Sequence, residues 1–253
     1  MQVKTAAISC NKDGAMALET ALAPLFPFPQ LPAIPLVDGS GLFPVRRIFC
    51  VGRNYAAHAA EMGDEVDREA PFYFTKSVFA LHPGGGMLPY ACGTGDYHHE
   101  VELVVALGRA GFRVPVAQAG ALVCGHAVGL DMTRRDLQAL AKDRRRPWDV
   151  AKDVEHSAVI GPITPAGDWA GPENRRISLS VNGVVRQAAP LSDMVWSIPE
   201  LIADLSRYYH LQPGDLIYTG TPAGVGAVQP GDRLRAEVEG LEPLELVIGP
   251  LPE

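Results

Sequence analysis

The chain of 253 residues is short of several things that would place it in a special class. Its four cysteines, Cys10, Cys50, Cys92 and Cys124, are widely spaced with no CxxC pair. That excludes a disulfide framework and a thiolate zinc site and predicts reduced, mostly buried thiols. No run reaches the roughly 18 apolar residues of a membrane helix. The first ten residues lack the basic start and apolar core of a secretory signal. The expectation is therefore a cytoplasmic protein with no membrane partner. Positive charge is scarce too: 22 Lys and Arg against 29 Asp and Glu leave a net charge of −7. Such a balance argues against nucleic acid as a partner, because phosphates need a basic surface. The glycine clusters at 84–86 and 220–226 lack the Gly-Lys-Ser/Thr of a phosphate loop and the context of a dinucleotide fingerprint. They read as tight turns, the second close to a ligand.

What is present is an ordinary globular composition, 47% apolar, with 26 Gly and 22 Pro that predict many turns and few long helices. Residues 1–45 read as a lead-in, with a short helix over 15–25 and an extended proline-rich run over 26–35. Residues 46–253 read as one strand-rich catalytic domain. Strands are predicted at 48–52, 100–107, 123–130, 215–219, 232–239 and 244–248, and a hairpin turns at Asn182-Gly183. Helices are predicted at 55–62, at 133–142 behind a Thr133/Asp136 capping box, and at 199–209 behind Ser197 and Glu200. There is no regular βαβ alternation, so a dinucleotide-binding sheet or a (β/α)8 barrel is excluded.

The chemistry gathers in a few stretches. Side chains two apart on a strand share a face, so Glu100 and Glu102 project together, and Asp131 ends another apolar strand. Three hard oxygen donors suit Mg2+ or Mn2+, and His98 and His99 beside them would shift the preference toward zinc. The competing reading is an edge strand with a solvated acidic face. His58 and Glu61, three apart on a helix, share a face, and a carboxylate behind an imidazole makes a general base for water. The alternative is a surface histidine beside a helical glutamate. Lys76 and Lys152 sit among apolar neighbours, either packed by their stems with heads in water or buried and aimed at an anion. The basic set Arg134, Arg135, Lys142, Arg144, Arg145 and Arg146 reads as a solvated helix end with one arginine turned inward.

Five blocks in order resemble the fumarylacetoacetate hydrolase family: Phe49-Cys-Val-Gly-Arg-Asn-Tyr-Ala-Ala-His58, His99-Glu-Val-Glu-Leu-Val-Val-Ala-Leu-Gly108, Gly129-Leu-Asp-Met-Thr-Arg-Arg-Asp-Leu-Gln138, Pro147-Trp-Asp-Val-Ala-Lys152 and Gly214-Asp-Leu-Ile-Tyr-Thr-Gly-Thr-Pro-Ala-Gly-Val-Gly226. The resemblance spans about 46–248. It implies an α+β fold, a strand-rich mixed β-roll or sandwich with a few short helices, usually as a homodimer. It implies a divalent cation, Mg2+ or Mn2+, on Glu100, Glu102 and Asp131, and His58 with Glu61 as the water-activating pair. Lys152 matches a lysine near the metal and the developing negative charge, while Arg53, Lys76, Arg135, Gln138 and Thr221 fall in blocks that line the substrate pocket. The likeness is greatest to members that hydrolyse fumarylpyruvate in aromatic-acid breakdown, the gentisate route. The expected partner is thus a small keto acid, cleaved between carbons to fumarate and pyruvate, with Arg53 or Arg135 holding the far carboxylate. Two enzymatic alternatives are an oxaloacetate decarboxylase and an isomerase of unsaturated keto diacids. A third, from another class, is a non-catalytic, metal-stabilised module that binds keto acids.

Overall fold

The computed structural model describes residues 24–63 and 68–251, together with the short strands Ser9–Cys10 and Met16–Ala17. The chain divides into two compact units, Met1–Gln30 and Leu31–Glu253. In the first, Ser9–Cys10 pairs antiparallel with Met16–Ala17, so strand stands at 16–17 where a helix was expected; 18–23 lie outside the described residues. All that follows concerns the second unit.

A mixed sheet forms its centre. Its strands run in the order Phe72–Lys76, Arg47–Gly52, Asp215–Tyr218, Val101–Leu107, Val123–Asp131, Ala158–Ile160 and Leu81–Pro83, with Thr164–Pro165 added on Val123–Asp131. A second, five-stranded sheet has the order Val184–Pro190, Arg176–Val181, Arg233–Val238, Leu244–Ile248 and Met87–Leu88. Among the described residues no helix is long and apolar enough to cross a membrane. The architecture is the strand-rich α+β type expected, with short helices at Ala56–Glu61, Arg135–Asp143, Asp149–Lys152 and Ile198–Tyr208.

Val101–Leu107 is buried on both faces, which is why it reads as an almost unbroken apolar run. Leu103, Val105 and Leu107 pack into the larger core with Ile177, Leu179 and Leu234 of the second sheet. Val104 and Ala106 face a smaller core with Ile48, Cys50, Ala127 and Tyr218. This smaller core also takes Ile34, Phe43 and Val45, because Ala33–Pro35 and Leu42–Pro44 form a hairpin against it. The segment expected to be lead-in as far as residue 45 therefore supplies core side chains from residue 34 on.

Local signals explain the punctuation. Asn182-Gly183 is a two-residue turn with both φ positive, 52° and 79°, the geometry that suits the twist of paired strands. Ser197 and Glu200 close a capping box on the Ile198–Tyr208 helix. The box expected of Thr133 and Asp136 is absent: Thr133 lies in the strand Thr133–Arg134, and Asp136 instead accepts from Thr94 Oγ1 at 2.6 Å and the Gly95 N–H at 3.2 Å.

Candidate functional site

Strand register builds the site. Val101 pairs with Leu130 and Glu102 with Gly129 across the antiparallel ladder, and the Asp131 N–H donates to the Glu100 carbonyl at 2.9 Å. Glu100 thus stands opposite Asp131, while Glu102, two residues on, shares their face at the rim of the smaller core. Gly129 keeps that face open, since a Cβ there would lie 2.6 Å from Val104 Cγ2 and 2.8 Å from Tyr218 Cε1. One oxygen of each of the three carboxylates falls within 4.8 Å of the others, at residue exposures of 4%, 1% and 1%. The solvated edge-strand alternative is thereby removed.

Three cationic side chains surround the trio. Lys152, the last residue of its helix, places Nζ 2.7 Å from Glu100 Oε2 and 2.6 Å from Asp131 Oδ2. Arg135 Nη2 binds Glu100 Oε1, and its Nη1 donates to Gln138 Oε1 at 2.5 Å. Lys76 lies beneath the trio rather than in the cleft: Nζ is 2.9 Å from Asp131 Oδ1 and donates to the Met132 and Lys152 carbonyls and to Ser157 Oγ. Its expected place on the pocket wall is corrected accordingly, since a buried ammonium with those partners supports the metal-side carboxylate.

The electrostatics are uneven. Burial disfavours the Glu100 anion, yet Lys152 and Arg135 outweigh it and hold the carboxyl well below the usual range. Burial likewise opposes the Lys152 charge, and Asp131 and Glu100 keep it ammonium, above the ordinary lysine value. Glu102 goes the other way: burial, then Asp131 and Glu100, raise it well above the carboxylate range, and the Gly220 N–H at 2.8 Å and Lys152 do not offset this. A positive charge placed among the three oxygens relieves that repulsion, so an all-oxygen set fits a hard divalent cation. The histidines do not turn it toward zinc. His98 Nε2 donates to Asp96 at 2.8 Å and its Nδ1 accepts from Arg135 Nε at 3.4 Å, while His99 Nδ1 is 2.9 Å from Gln187 Oε1.

A cleft opens over the trio, with all three carboxylates in its wall. His58, buried at the first turns of its helix, lines it, with Nδ1 3.2 Å from Glu61 Oε2. Glu61 is in turn fixed by the Gly224 N–H, 3.1 Å from both carboxylate oxygens. Gly224 has φ 94°, and a Cβ there would stand 2.0 Å from the Arg186 carbonyl, so this position requires glycine. Arg53, Arg135, Gln138, Lys152 and Thr221 line the same cleft. Lys142 does too, so the basic helix end turns inward at Arg135 and again at Lys142.

Two joints went unread in the sequence. Asn54, fully buried, donates to the Thr219 and Trp196 carbonyls at 2.7 and 3.0 Å and accepts the Trp196 N–H at 2.7 Å, locking the turn before His58 to the loop after Tyr218. Gln187 of the second sheet, also fully buried, accepts the Val101 N–H at 3.1 Å and donates to Thr221 Oγ1 and the Pro222 carbonyl, both at 2.8 Å. Since the Thr221 hydroxyl accepts there, its own proton is left for a group in the cleft. Asn54 sits inside a block already quoted; Gln187 lies on the second strand of the Asn182-Gly183 hairpin, where no local pattern marks it as buried.

Comparison with known proteins agrees with this geometry. Residues 47–248 match the family described as fumarylacetoacetate (FAA) hydrolase C-terminal. A fumarylpyruvate hydrolase of a Ralstonia species is 50% identical over 191 residues, covering 75% of this chain and 99% of the relative. The mitochondrial oxaloacetate tautomerase of Rattus norvegicus is 43% identical, covering 78% and 88%. A crystal structure of fumarylpyruvate hydrolase from Pseudomonas aeruginosa in complex with Mn2+ and pyruvate superposes with a TM-score of 0.87 at 44% identity, over 90% of this chain and all of that one. A family match across most of the chain, on this fold and with this carboxylate trio, establishes that the chain is an enzyme of the fumarylacetoacetate hydrolase family.

Proposed function

We propose that the chain hydrolyses the carbon–carbon bond of an acylpyruvate, with fumarylpyruvate and water giving fumarate and pyruvate. The observation that carries this reading is the His58–Glu61 pair facing the same cleft as the carboxylate trio, because only hydrolysis among the candidate reactions needs an activated water. Glu100, Glu102 and Asp131 would hold Mg2+ or Mn2+, which when bound supplies a chelating Lewis acid for the keto-acid oxygens. Glu61 orients His58 through Nδ1–H, leaving Nε2 to take a proton from water as its oxygen adds to the distal ketone carbon. The bond to the pyruvyl methylene then breaks, its electron pair passes into the pyruvate enolate, and the proton on His58 returns to that carbon. Lys152 stays charged between Glu100 and Asp131 and counters the negative charge that develops on the enolate. Thr221 offers its hydroxyl proton and Arg135 fixes Gln138 beside the substrate. The working unit proposed is a homodimer, as the family likeness implies, placed in the cytoplasm on the reading of the sequence.

A second reading, proton transfer within oxaloacetate, is favoured by the tautomerase among the relatives, since the same His58–Glu61 pair moves protons. The two separate when fumarylpyruvate, acetylpyruvate and oxaloacetate are offered to chelator-treated and Mg2+-restored protein while pyruvate is followed. The hydrolase reading expects Mg2+-dependent pyruvate from fumarylpyruvate. Reaction of oxaloacetate alone sinks it.

A further inference from the structure

We infer that Lys152 is the cation that gives way to the metal: its ammonium and a divalent ion contest the same two carboxylate oxygens, Glu100 Oε2 and Asp131 Oδ2, so that loading the trio turns the lysine's protons toward the cleft. The inference concerns the metal centre and holds whichever keto acid is turned over.

The oxygens of the trio show why the contest falls on Lys152. Glu100 Oε1 is held by Arg135 Nη2, and Arg135 is itself fixed, with Nη1 on Gln138 Oε1 at 2.5 Å and Nε on His98 Nδ1 at 3.4 Å. Asp131 Oδ1 is held by Lys76 Nζ at 2.9 Å, and that ammonium also binds the Met132 and Lys152 carbonyls and Ser157 Oγ. Neither cation can leave without stranding its other partners in the interior. Glu102 Oε2 takes the Gly220 N–H at 2.8 Å. Glu100 and Asp131 therefore have one further oxygen each to offer, and Lys152 Nζ sits on both, 2.7 and 2.6 Å away.

Lys152 also has somewhere to go. Its carbonyl is anchored by Lys76 Nζ and by Ser157 Oγ at 3.0 Å, so the backbone holds still while the head group swings. The side chain lines the cleft, as does Phe74, whose ring centroid lies 4.9 Å from Nζ. An aromatic face attracts an ammonium and can keep the displaced head group beside the carboxylates. Charge argues the same way. Lys76, Lys152 and Arg135, at exposures of 3%, 3% and 9%, already face the three carboxyl groups, so an entering ion meets like charge as well as opposite charge. At low local screening, moving the one cation that is able to move relieves that repulsion.

Titration with Mn2+, followed by the electron paramagnetic resonance signal of the unbound ion, tests this without turnover. Lys152→Met keeps the stem and removes the contesting charge, and it should bind Mn2+ about 10- to 100-fold more tightly than the wild type. Lys152→Arg, whose fork can hold the same oxygen pair, should show no such gain. Unchanged or weaker binding by Lys152→Met, or an equal gain in Lys152→Arg, overturns the proposal. A second measurement needs no variant: wild-type crystals grown without metal are compared with the same crystals soaked in Mn2+. Once the ion is bound, Nζ should part from at least one of the two oxygens to beyond about 3.2 Å, the reach of a hydrogen bond. An ammonium still within reach of both overturns the proposal. Because neither readout uses fumarylpyruvate, the hydrolase reading can fail while this inference stands, and the reverse.

Discussion

Replacing Gln187 with leucine should cripple the protein although the residue touches no substrate. The side chain is fully buried, and leucine, of similar volume, keeps the packing while removing every polar contact. Thr221 and His99 can turn toward other partners, but two backbone groups cannot: the Val101 N–H at 3.1 Å and the Pro222 carbonyl at 2.8 Å are fixed by the strand and the loop. A buried polar group left without a partner costs about 1–3 kcal/mol, so the two together cost about 2–6 kcal/mol. For a chain of this size that lowers Tm by roughly 5–20 °C. Function should suffer as well, because the loop that Gln187 anchors at Thr221 and Pro222 also supplies the Gly220 N–H to Glu102 and the Gly224 N–H to Glu61. Gln187→Glu is the informative companion: it keeps an acceptor for Val101 but turns the donor facing Pro222 into an oxygen. Thermal unfolding by circular dichroism in metal-free buffer reads the first effect and pyruvate release the second. A leucine variant that melts within about 2 °C of wild type would refute the reasoning, since the stranded groups would then cost far less than buried groups do.

Three other consequences follow from the same contacts. His58→Ala should lower kcat by ~10²–10⁴ while Mn2+ affinity, measured by equilibrium dialysis, stays near wild type; equal loss of both would move His58 from base to structural support. Gly224→Ala should lower kcat through Glu61, because the new Cβ has the Arg186 carbonyl 2.0 Å away and the loop must shift; unchanged turnover would show that the Gly224 N–H does not hold Glu61. The third concerns pH. The Glu102 carboxyl is raised by burial and by Asp131 and Glu100, so its contribution to metal-free stability is complete below the unfolded value near 4.5 and is lost as pH rises toward the raised folded value. Glu100 is held low, so its contribution is lost only as pH falls below the unfolded value toward the folded one. The rise in Tm on adding Mg2+ should therefore grow from pH 6 to pH 8, and Glu102→Gln should flatten that growth; an equal rise at both values in the wild type counts against the account.

The trio illustrates how far the sequence could be read. The i, i+2 spacing of Glu100 and Glu102 places them on one face of any strand, and the Val101–Leu107 run marks that strand as buried. That Asp131 stands opposite Glu100 depends on register with a strand some thirty residues away, and no local pattern encodes it. Hairpin and helix-cap signals at Asn182-Gly183 and Ser197 were reliable because their partners are near in sequence. The Thr133/Asp136 signal failed because Thr94 and Gly95, distant in the chain, take the aspartate. Lys76 misled for a related reason: its block runs beside the cleft, but the strand Phe72–Lys76 ends with its ammonium under Asp131, held there by the Met132 and Lys152 carbonyls and Ser157 Oγ, all distant in the chain. Gln187 looks like any polar residue of an exposed hairpin, and its partners lie 34 to 88 residues away, so its burial is visible only in the assembled fold.

The most direct test is a Mn2+-soaked crystal with data collected at the manganese edge. The account predicts an anomalous peak at coordination distance, about 2–2.5 Å, from oxygens of Glu100, Glu102 and Asp131, and its loss in Glu102→Ala. A peak on the histidines at 98 and 99, or none within reach of the three carboxylates, would contradict it.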